Sequence, residues 1–409
     1  MPAQSVSALR LLAPFALGYF FSYGLRTVNA AIAPRLSSEL GISEATLGLL
    51  TAVYFLTFAA AQLPIGIAID RFGPRRVNAW LLLVAVAGCG LFALGKSEAS
   101  LLLARGLIGL GVSGCLMTAI KSNAQWFGLH ELPAMNAWVH VWGLIGAVAS
   151  TLPIAWLVGV AGIPGAFLAA GSVGLLASLL LWTTVPDAPH SARPESLADN
   201  LRGTWSVFRA RAFWSLALVA ALALGAHMAM QGLWVGQWLR HVRLLDEAAV
   251  GHALFWMMVA GAVGALGWGQ LATRLARQGM SALSVYGLAC GLHVLATLLL
   301  AFNVGLPPLV LTMFYALTGM GGSLCYAVLT ARFPVALAGR ANTSVNLLIF
   351  IVAFSVQAGA GFALHSLEQQ GLSTELAYRV LLVATAIAIA LSLAWALLDR
   401  PRATRAEPT

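Results

Sequence analysis

One arginine lies in the middle of an otherwise apolar run near the start of the chain. The run "GYFFSYGLRTVNAAIAP", residues 18–34, carries Arg26 near its centre. A charged side chain in a hydrocarbon environment costs several kcal/mol on insertion scales and is by default a functional-site hypothesis. With i, i+3 and i+4 spacing, the polar residues that share its helical face are Tyr19, Ser22, Tyr23 and Asn29. This pattern indicates an anion held by a guanidinium group with hydroxyl groups beside it.

The acidic residues do not offer Arg26 a partner. The chain has 14 Asp and Glu residues, and none falls in the middle of a predicted membrane span. Arg26 is about twelve residues into the first predicted span, roughly 18 Å at 1.5 Å per residue, which is near the midplane of a bilayer. The simplest interpretation is that the substrate supplies the negative charge. The alternative is that Arg26 caps backbone carbonyls of a kinked helix.

Polar residues on three later apolar runs complete the predicted binding site. His227 shares a helical face with Gln231 and Trp234, and His140 shares one with Asn136. A lone histidine in apolar surroundings is more often structural, but histidine titrates near neutrality, so His140 and His227 are the proton carriers that the sequence offers. The predicted substrate-binding set is Arg26, Tyr19, Tyr23, Asn29, His140, His227, Gln231, Trp234 and Asn346.

The composition indicates the elements that must position these residues. The 409 residues are 60% hydrophobic and only 9% charged, whereas soluble domains carry roughly 25% charged residues. Apolar runs of about 20 residues, long enough to cross a bilayer as helices, recur along the whole chain. We predict an all-α polytopic membrane protein with twelve transmembrane helices at 13–35, 44–69, 77–95, 100–122, 134–158, 163–184, 212–238, 247–271, 280–302, 306–330, 341–365 and 375–398.

A segment rich in Pro, Ser and charge, residues 185–203, divides these spans six plus six and is typical of a linker. We predict an N-terminal six-helix bundle at 1–184, a cytoplasmic linker at 185–210, and a C-terminal six-helix bundle with a short cytoplasmic tail at 211–409. Fifteen arginines fall in predicted inner segments, against five basic residues in outer ones. This bias places both termini in the cytoplasm and accounts for the net charge of +9 without a nucleic-acid partner.

The two halves resemble each other in sequence. At an offset of 203 residues, Gly66 matches Gly269 and Arg71 matches Arg274. A second match, at an offset of 210, relates Gly109, Gly111, Ser113 and Cys115 to Gly319, Gly321, Ser323 and Cys325. Internal repeats with a binding site between them at the midplane are typical of secondary transporters.

The loop "GIAIDRFGPRR", residues 66–76, resembles the signature loop of the major facilitator superfamily, G-x-x-x-D-R-x-G-R-R. Arg105 in "RGLIGLGVSG" is similar to the fourth-helix motif of that superfamily. The resemblance covers the whole chain and implies alternating access between two pseudo-symmetric bundles. The chain departs from the pattern at Thr273, which replaces the second-half aspartate, and at "GIPGAF" after span five. The predicted gating residues are Asp70, Arg71, Arg75, Arg76, Arg105, Lys121 and Arg274.

The first span also resembles the glycerol-3-phosphate and sugar-phosphate antiporters of the superfamily, in the spacing of Gly18, Tyr19, Tyr23, Arg26 and Pro34. In those proteins the arginine binds the phosphate group, and His140 is similar to their fifth-helix histidine. Their second binding arginine has no match here, because the corresponding position is near Met228. One strong cation instead of two favours a singly charged anion, such as a carboxylate, over a divalent phosphate.

A rival interpretation rests on sulfur. Met228 and His252, on spans seven and eight, form a possible Cu(I) pair, and some members of the superfamily import copper through such residues; Arg26 argues against a cation beside it. The sequence predicts no other metal and no cofactor. It also predicts no enzyme, because it contains neither a nucleophile and base at motif spacing nor a phosphate-binding loop.

The sequence thus predicts a secondary transporter for a small, singly charged organic anion. Transport would be coupled to protons or to exchange against another anion. We expect a monomer in a bacterial inner membrane, with the anion and the lipid bilayer as its partners.

Overall fold

The structure is a computed structural model that describes residues 8–128, 131–186 and 197–399. Within these ranges every regular element is a helix. By length and composition, ten helices of the described chain are apolar enough to cross a membrane, and Met135–Ala149 is a shorter apolar one. Of the predicted linker, residues 187–196 lie outside the described ranges, as does the predicted C-terminal tail at 400–409.

The N-terminal half contains eight helical segments. A sharp turn at Gly162, with φ 69°, lies inside the last of them; glycine adopts this backbone conformation readily because it has no Cβ. The turn separates 152–161, which continues the fifth predicted span, from 163–184, which is the sixth. The segments are α1 Ala8–Thr27, α2 Asn29–Leu40, α3 Glu44–Phe72, α4 Pro74–Leu94, α5 Glu98–Val112, α6 Cys115–Trp126, α7 Leu132–Ala149 and α8 Leu152–Thr184.

The C-terminal half follows α9, Leu197–Arg209, which belongs to the predicted linker. Two of its spans contain non-α segments: a π-helical stretch at Met230–Trp234 and a 3₁₀ stretch at Met320–Leu324. The helices are α10 Arg211–Ala229, α11 Val235–His241, α12 Glu247–Arg277, α13 Ala282–Ala301, α14 Pro308–Gly319, α15 Cys325–Thr330, α16 Val335–Gln369 and α17 Thr374–Leu398.

The repeated glycine motif has the same structural consequence in both halves. The helix is interrupted after Val112 in the first copy and after Gly319 in the second, and it resumes at Cys115 and at Cys325. The glycines allow close packing, because a Cβ on Gly109 would collide with the backbone of α3. Small residues at such contacts let neighbouring membrane helices approach closely.

Candidate functional site

Arg26 lies in the last turn of α1 and is half-buried. Its guanidinium carbon is 3.6 Å from the centroid of the Tyr23 ring, a cation–π contact. Tyr19 and Tyr54 are its other close polar neighbours. No Asp or Glu within the described ranges forms an ion pair with Arg26. The guanidinium is therefore held by aromatic side chains, on the Tyr23 ring and in a hydrogen bond with the Tyr19 hydroxyl.

A different arginine caps the helix break beside this site. Arg105 is fully buried, and its Nη1 donates to the carbonyl of Leu25 at 3.0 Å while its Nε donates to the carbonyl of Leu50 at 3.2 Å. Capping of backbone carbonyls is the alternative role that the sequence leaves open for Arg26. Arg105 performs this capping at Leu25 and Leu50, and anion binding by Arg26 stays a prediction.

Two further polar contacts fix the break between α1 and α2. The Thr27 hydroxyl lies 2.7 Å from the hydroxyl of Ser150, at the end of α7. The Asn29 side-chain amide donates to Thr51 of α3 at 2.6 Å. These bonds hold both sides of the break, so the last turn of α1 presents Arg26 from a rigid position.

His140 of α7 completes the N-terminal side of the site. Its ring centroid is 5.9 Å from that of Tyr19, its Nδ1 is 2.8 Å from the Asn136 carbonyl oxygen, and the side chain is exposed. The Tyr19 ring fits against Gly143, where a Cβ would overlap it. We call Arg26, Tyr19, Tyr23 and His140 the Arg26 cluster; the structure brings these four predicted residues together.

The C-terminal half faces the Arg26 cluster with Tyr326 of α15. Its hydroxyl donates to Oδ1 of Asn346 at 2.9 Å, and it is close enough to interact electrostatically with Arg26 and Tyr19. Asn346 was predicted from the sequence, but Tyr326 was not. The internal repeat gave no signal for it, because the matching residue at the 210 offset is Leu116.

Four predicted binding residues are not brought to the guanidinium. Asn29 is buried against Thr51, and His227 is buried inside the C-terminal half. Gln231 donates to the sulfur of Met258 at 3.1 Å. Trp234 is fully buried. Substrate contact by these four residues stays a prediction.

Three of the predicted gating residues, Asp70, Lys121 and Arg75, form contacts within their own half. Lys121 Nζ lies 2.9 Å from Asp70 Oδ1, and both side chains are about half exposed. Arg75 donates to the carbonyl of Trp182 at 2.8 Å and to that of Leu181 at 3.2 Å. Arg71 lies near the Phe72 ring, and Arg76 and Arg274 are exposed. Their gating role stays a prediction.

Polar contacts join the two halves where α2 meets α3, here called the Glu44 end; the opposite end is the Asp70 end. His241 Nε2 lies 3.0 Å from Glu44 Oε1. Arg240 Nη2 donates to the Ala30 carbonyl at 3.4 Å. That carbonyl lacks its usual helical partner because the residue four positions later, Pro34, has no N–H. Both contacts cross from the C-terminal to the N-terminal half.

Apolar packing strengthens the same closure. The Trp234 ring lies against the backbone of Gly48 in α3 and of Gly361 in α16. Deeper in the interface, Phe58 and Phe350 stack with ring centroids 4.2 Å apart. The halves are therefore closed at the Glu44 end.

We expect Glu44→Gln to weaken this closure. The ion pair with His241 is partly exposed, so its loss should shift the equilibrium by about 1 kcal/mol, roughly a fivefold change in population. Spin labels on Ser38→Cys and Gln370→Cys, two exposed sites on opposite halves, would report a larger long-distance fraction. Glu39→Gln is the matched control, because Glu39 pairs with Arg35 of its own helix. An unchanged distance distribution for Glu44→Gln would show that the Glu44–His241 pair does not stabilise the closure.

Within the described ranges, no group of three or more His, Cys, Asp or Glu side chains is placed to hold a metal ion. His252, from the predicted copper pair, is exposed and accepts a hydrogen bond from Trp256 Nε1 at 3.1 Å. Binding of Cu(I) by Met228 and His252 stays an alternative.

Comparison with known proteins places the chain among transporters. The sequence pattern of the Major Facilitator Superfamily matches residues 15–356. The hexuronate transporter of Escherichia coli (strain K12) is 24% identical over 238 residues, 54% of this chain and 55% of the relative. The galacturonate transporter of Dickeya chrysanthemi is 25% identical over 224 residues, 51% of this chain and 65% of the relative. Each alignment thus spans only about half to two thirds of the relative's length.

Solved structures share the fold. A bacterial homologue of the human lysosomal transporter Spinster, in an inward-facing and occupied conformation, matches with a TM-score of 0.76 at 18% identity over 97% of both chains. The nucleoside transporter NupG matches with a TM-score of 0.74 at 13% identity, over 95% of this chain and 100% of that one.

Proposed function

Because the chain belongs to the Major Facilitator Superfamily, we propose that it is a secondary transporter that moves a small, singly charged organic anion by alternating access. The observation that carries this proposal is Arg26, a half-buried guanidinium at the interface of the two halves, without an acidic partner in the described part of the chain. A cation in such a place is stabilised when a substrate brings the opposite charge.

The groups around Arg26 favour a hydroxylated carboxylate. A guanidinium binds a carboxylate through two parallel hydrogen bonds. Tyr19 and Tyr23 on one side, and the Tyr326–Asn346 pair on the other, supply hydroxyl and amide groups for sugar hydroxyls. A divalent phosphate would leave one charge without a cation. The named substrates of the relatives, hexuronate and galacturonate, belong to the favoured class.

The arrangement of the two halves supports alternating access. Their closure at the Glu44 end depends on one partly exposed ion pair, one hydrogen bond to a backbone carbonyl and apolar packing against two glycines. An exposed ion pair of this kind breaks and re-forms at small cost. Transport would be driven by a proton gradient or by exchange against a second anion. The protein would work as a monomer in a bacterial inner membrane with both termini in the cytoplasm.

Ligand-induced stabilisation of the purified protein tests this proposal. Thermal unfolding in detergent would be followed with galacturonate, glucuronate, galactonate, sulfoacetate, nitrate, glycerol-3-phosphate and Cu(I). A ligand at a hundred times its dissociation constant stabilises the fold by about 2.7 kcal/mol, a measurable rise in the unfolding temperature. We expect sugar acids to raise the unfolding temperature of the wild type and to leave that of Arg26→Ala unchanged.

Arg35→Ala is the matched control, because Arg35 is a basic residue outside the Arg26 cluster that pairs with Glu39 on its own helix. It should respond to sugar acids like the wild type. Stabilisation by Cu(I) alone, unaffected by Arg26→Ala, would overturn the anion proposal. Stabilisation by glycerol-3-phosphate in preference to sugar acids would overturn the assignment to singly charged substrates.

A further inference from the structure

Two histidines lie together inside the C-terminal half, away from the Arg26 cluster. His227 of α10 and His293 of α13 have ring centroids 5.3 Å apart at an angle of 73°. Both rings pack against Tyr315 of α14, at 5.2 and 4.8 Å. Only 1% of His227 and 2% of His293 is exposed. We call these two residues the histidine pair.

Most of the ring nitrogens of the pair have no hydrogen-bond partner. Both nitrogens of His227 and Nε2 of His293 are buried and unsatisfied. The remaining nitrogen, Nδ1 of His293, lies 3.3 Å from the Thr318 hydroxyl. A neutral imidazole carries one donor and one acceptor, and each unmet buried group costs about 1–3 kcal/mol. Apolar residues of similar size would avoid this cost, which indicates that the imidazoles are present for another reason.

The surroundings of the pair contain no counter-charge. The titratable groups in contact with it, within the described ranges, are the two imidazoles themselves and Tyr315, whose ring packs against both. An imidazolium buried beside a second imidazole and away from any carboxylate is strongly disfavoured. In the state closed at the Glu44 end, the pair is therefore neutral.

The pair also lies where its helices depart from α geometry. The π-helical segment Met230–Trp234 begins three residues after His227, and the 3₁₀ segment Met320–Leu324 directly follows α14. Gly319, the last residue of α14, leaves the space that the His227 ring fills. Such irregular segments often mark hinges. The π-helical segment ends at Trp234, which packs into the closure at the Glu44 end, so movement of that closure alters the surroundings of His227.

We propose that the histidine pair is a proton-binding site that couples the movement of the two halves to a proton gradient. This inference rests on the proposed transport function. When the Glu44 end opens, water reaches the pair and one imidazole nitrogen accepts a proton. When that end closes, the dry site without a counter-charge releases the proton to water on the other side. Each cycle then carries one proton together with the anion.

Transport by purified protein in liposomes tests the proposal with His227→Gln and His293→Gln. Glutamine keeps a polar side chain but does not bind a proton in this pH range. With an acidic exterior, we expect wild type to accumulate labelled galacturonate above equilibrium. Each variant should lose this accumulation at least tenfold, and for His293→Gln, which lies outside the predicted binding set, counterflow exchange at equal pH should stay within threefold of wild type. A pH dye inside the vesicles should report proton entry for wild type only.

His365→Gln is the matched control, because His365 is exposed at the end of α16, where its Nε2 contacts Gln369. It should behave like wild type in every assay. His227→Asn and His293→Asn serve as second variants, and only protein that elutes and melts like wild type would be compared. Gradient-driven accumulation by a folded variant of the pair would overturn the proposal. Counterflow by the wild type without proton entry would also overturn the proton-site proposal. That result would leave the transport proposal intact.

A second readout does not depend on transport. NMR spectra of protein with ¹⁵N-labelled histidine show one set of ring resonances for each histidine. The resonances that are present in the wild type but absent from His227→Gln or His293→Gln belong to the pair. We expect them to shift between pH 5 and 8.5, as protonation draws the protein toward the state open at the Glu44 end. Resonances that stay constant over this range would overturn the proton site. If the wild type transports none of the anions, the transport proposal fails and this titration alone decides the proton site.

Discussion

Alanine in place of Arg26 should lower anion uptake about 100-fold. A guanidinium that binds a carboxylate through two charge-assisted hydrogen bonds contributes about 2–3 kcal/mol, and each 1.4 kcal/mol is a tenfold change. The polar neighbours Tyr19 and Tyr23 carry no positive charge, so they cannot replace it. Initial rates of labelled galacturonate uptake into liposomes, at a substrate concentration well below saturation, measure the effect.

Arg26→Lys separates charge from geometry. Lysine keeps the positive charge but loses the planar pair of donors, so we expect its uptake rate to fall between those of wild type and the alanine variant. The melting temperatures of both variants without ligand should stay close to that of wild type, because Arg105, and not Arg26, caps the helix break. An alanine variant with uptake within threefold of wild type would show that Arg26 does not hold the substrate.

Gly146→Val should prevent the protein from folding stably. A Cβ on Gly146 would overlap the backbone carbonyl of Phe20 in α1. No side chain can move aside there, so α1 and α7 must separate. Overpacking of this kind costs about 3 kcal/mol, and it displaces the helix that carries Arg26 from the helix that carries His140. The yield of monodisperse protein from size-exclusion chromatography, together with the melting temperature, measures the loss.

Gly159→Val provides the matched control on α8. Gly159 is exposed, and a Cβ there would meet nothing within 4 Å. This variant makes the same exchange of glycine for valine in an apolar helix as Gly146→Val. No helix packs against Gly159, however. We expect wild-type yield for this variant. Equal yields for the two valine variants would contradict the close contact between α1 and α7.

The sequence was sufficient to predict the fold class and the family, and both are confirmed. The predicted length of each apolar run follows from the thickness of a bilayer, and this constraint does not depend on how the helices pack. The boundary between spans five and six, predicted between residues 158 and 163, agrees with the sharp turn at Gly162. The family match over residues 15–356 agrees with the resemblance read from the loop at 66–76.

The binding site was predicted less completely because it depends on helix rotation. His227, Gln231 and Trp234 share a face only if the helix keeps 3.6 residues per turn. The π-helical segment Met230–Trp234 has a wider turn, so this face does not continue past residue 230. His227 instead packs inside the C-terminal half, and Trp234 reaches the Glu44 end.

Other functional candidates depend on tertiary contacts that no local pattern contains. After α14 the chain forms a 3₁₀ segment and then α15. This change of helical geometry places Tyr326 toward the Arg26 cluster. His293 meets His227 only where both rings pack against Tyr315 of α14. In the sequence both appear as isolated polar residues in apolar runs. That signal marks a candidate but does not identify its partner.

The hydrogen bond from Arg240 to the Ala30 carbonyl has a genetic consequence. The acceptor is a backbone atom freed by Pro34, so no codon change at position 30 can remove it or adapt it to a new partner. A screen for second-site revertants of an Arg240 substitution should therefore recover no compensating change at that position. The Glu44–His241 pair has side chains on both sides, and there reciprocal exchange can restore a lost contact. The two neighbouring contacts thus differ in how they can evolve. The Arg240 contact can change only through substitution of Arg240, whereas the Glu44–His241 contact can change through substitution of either residue.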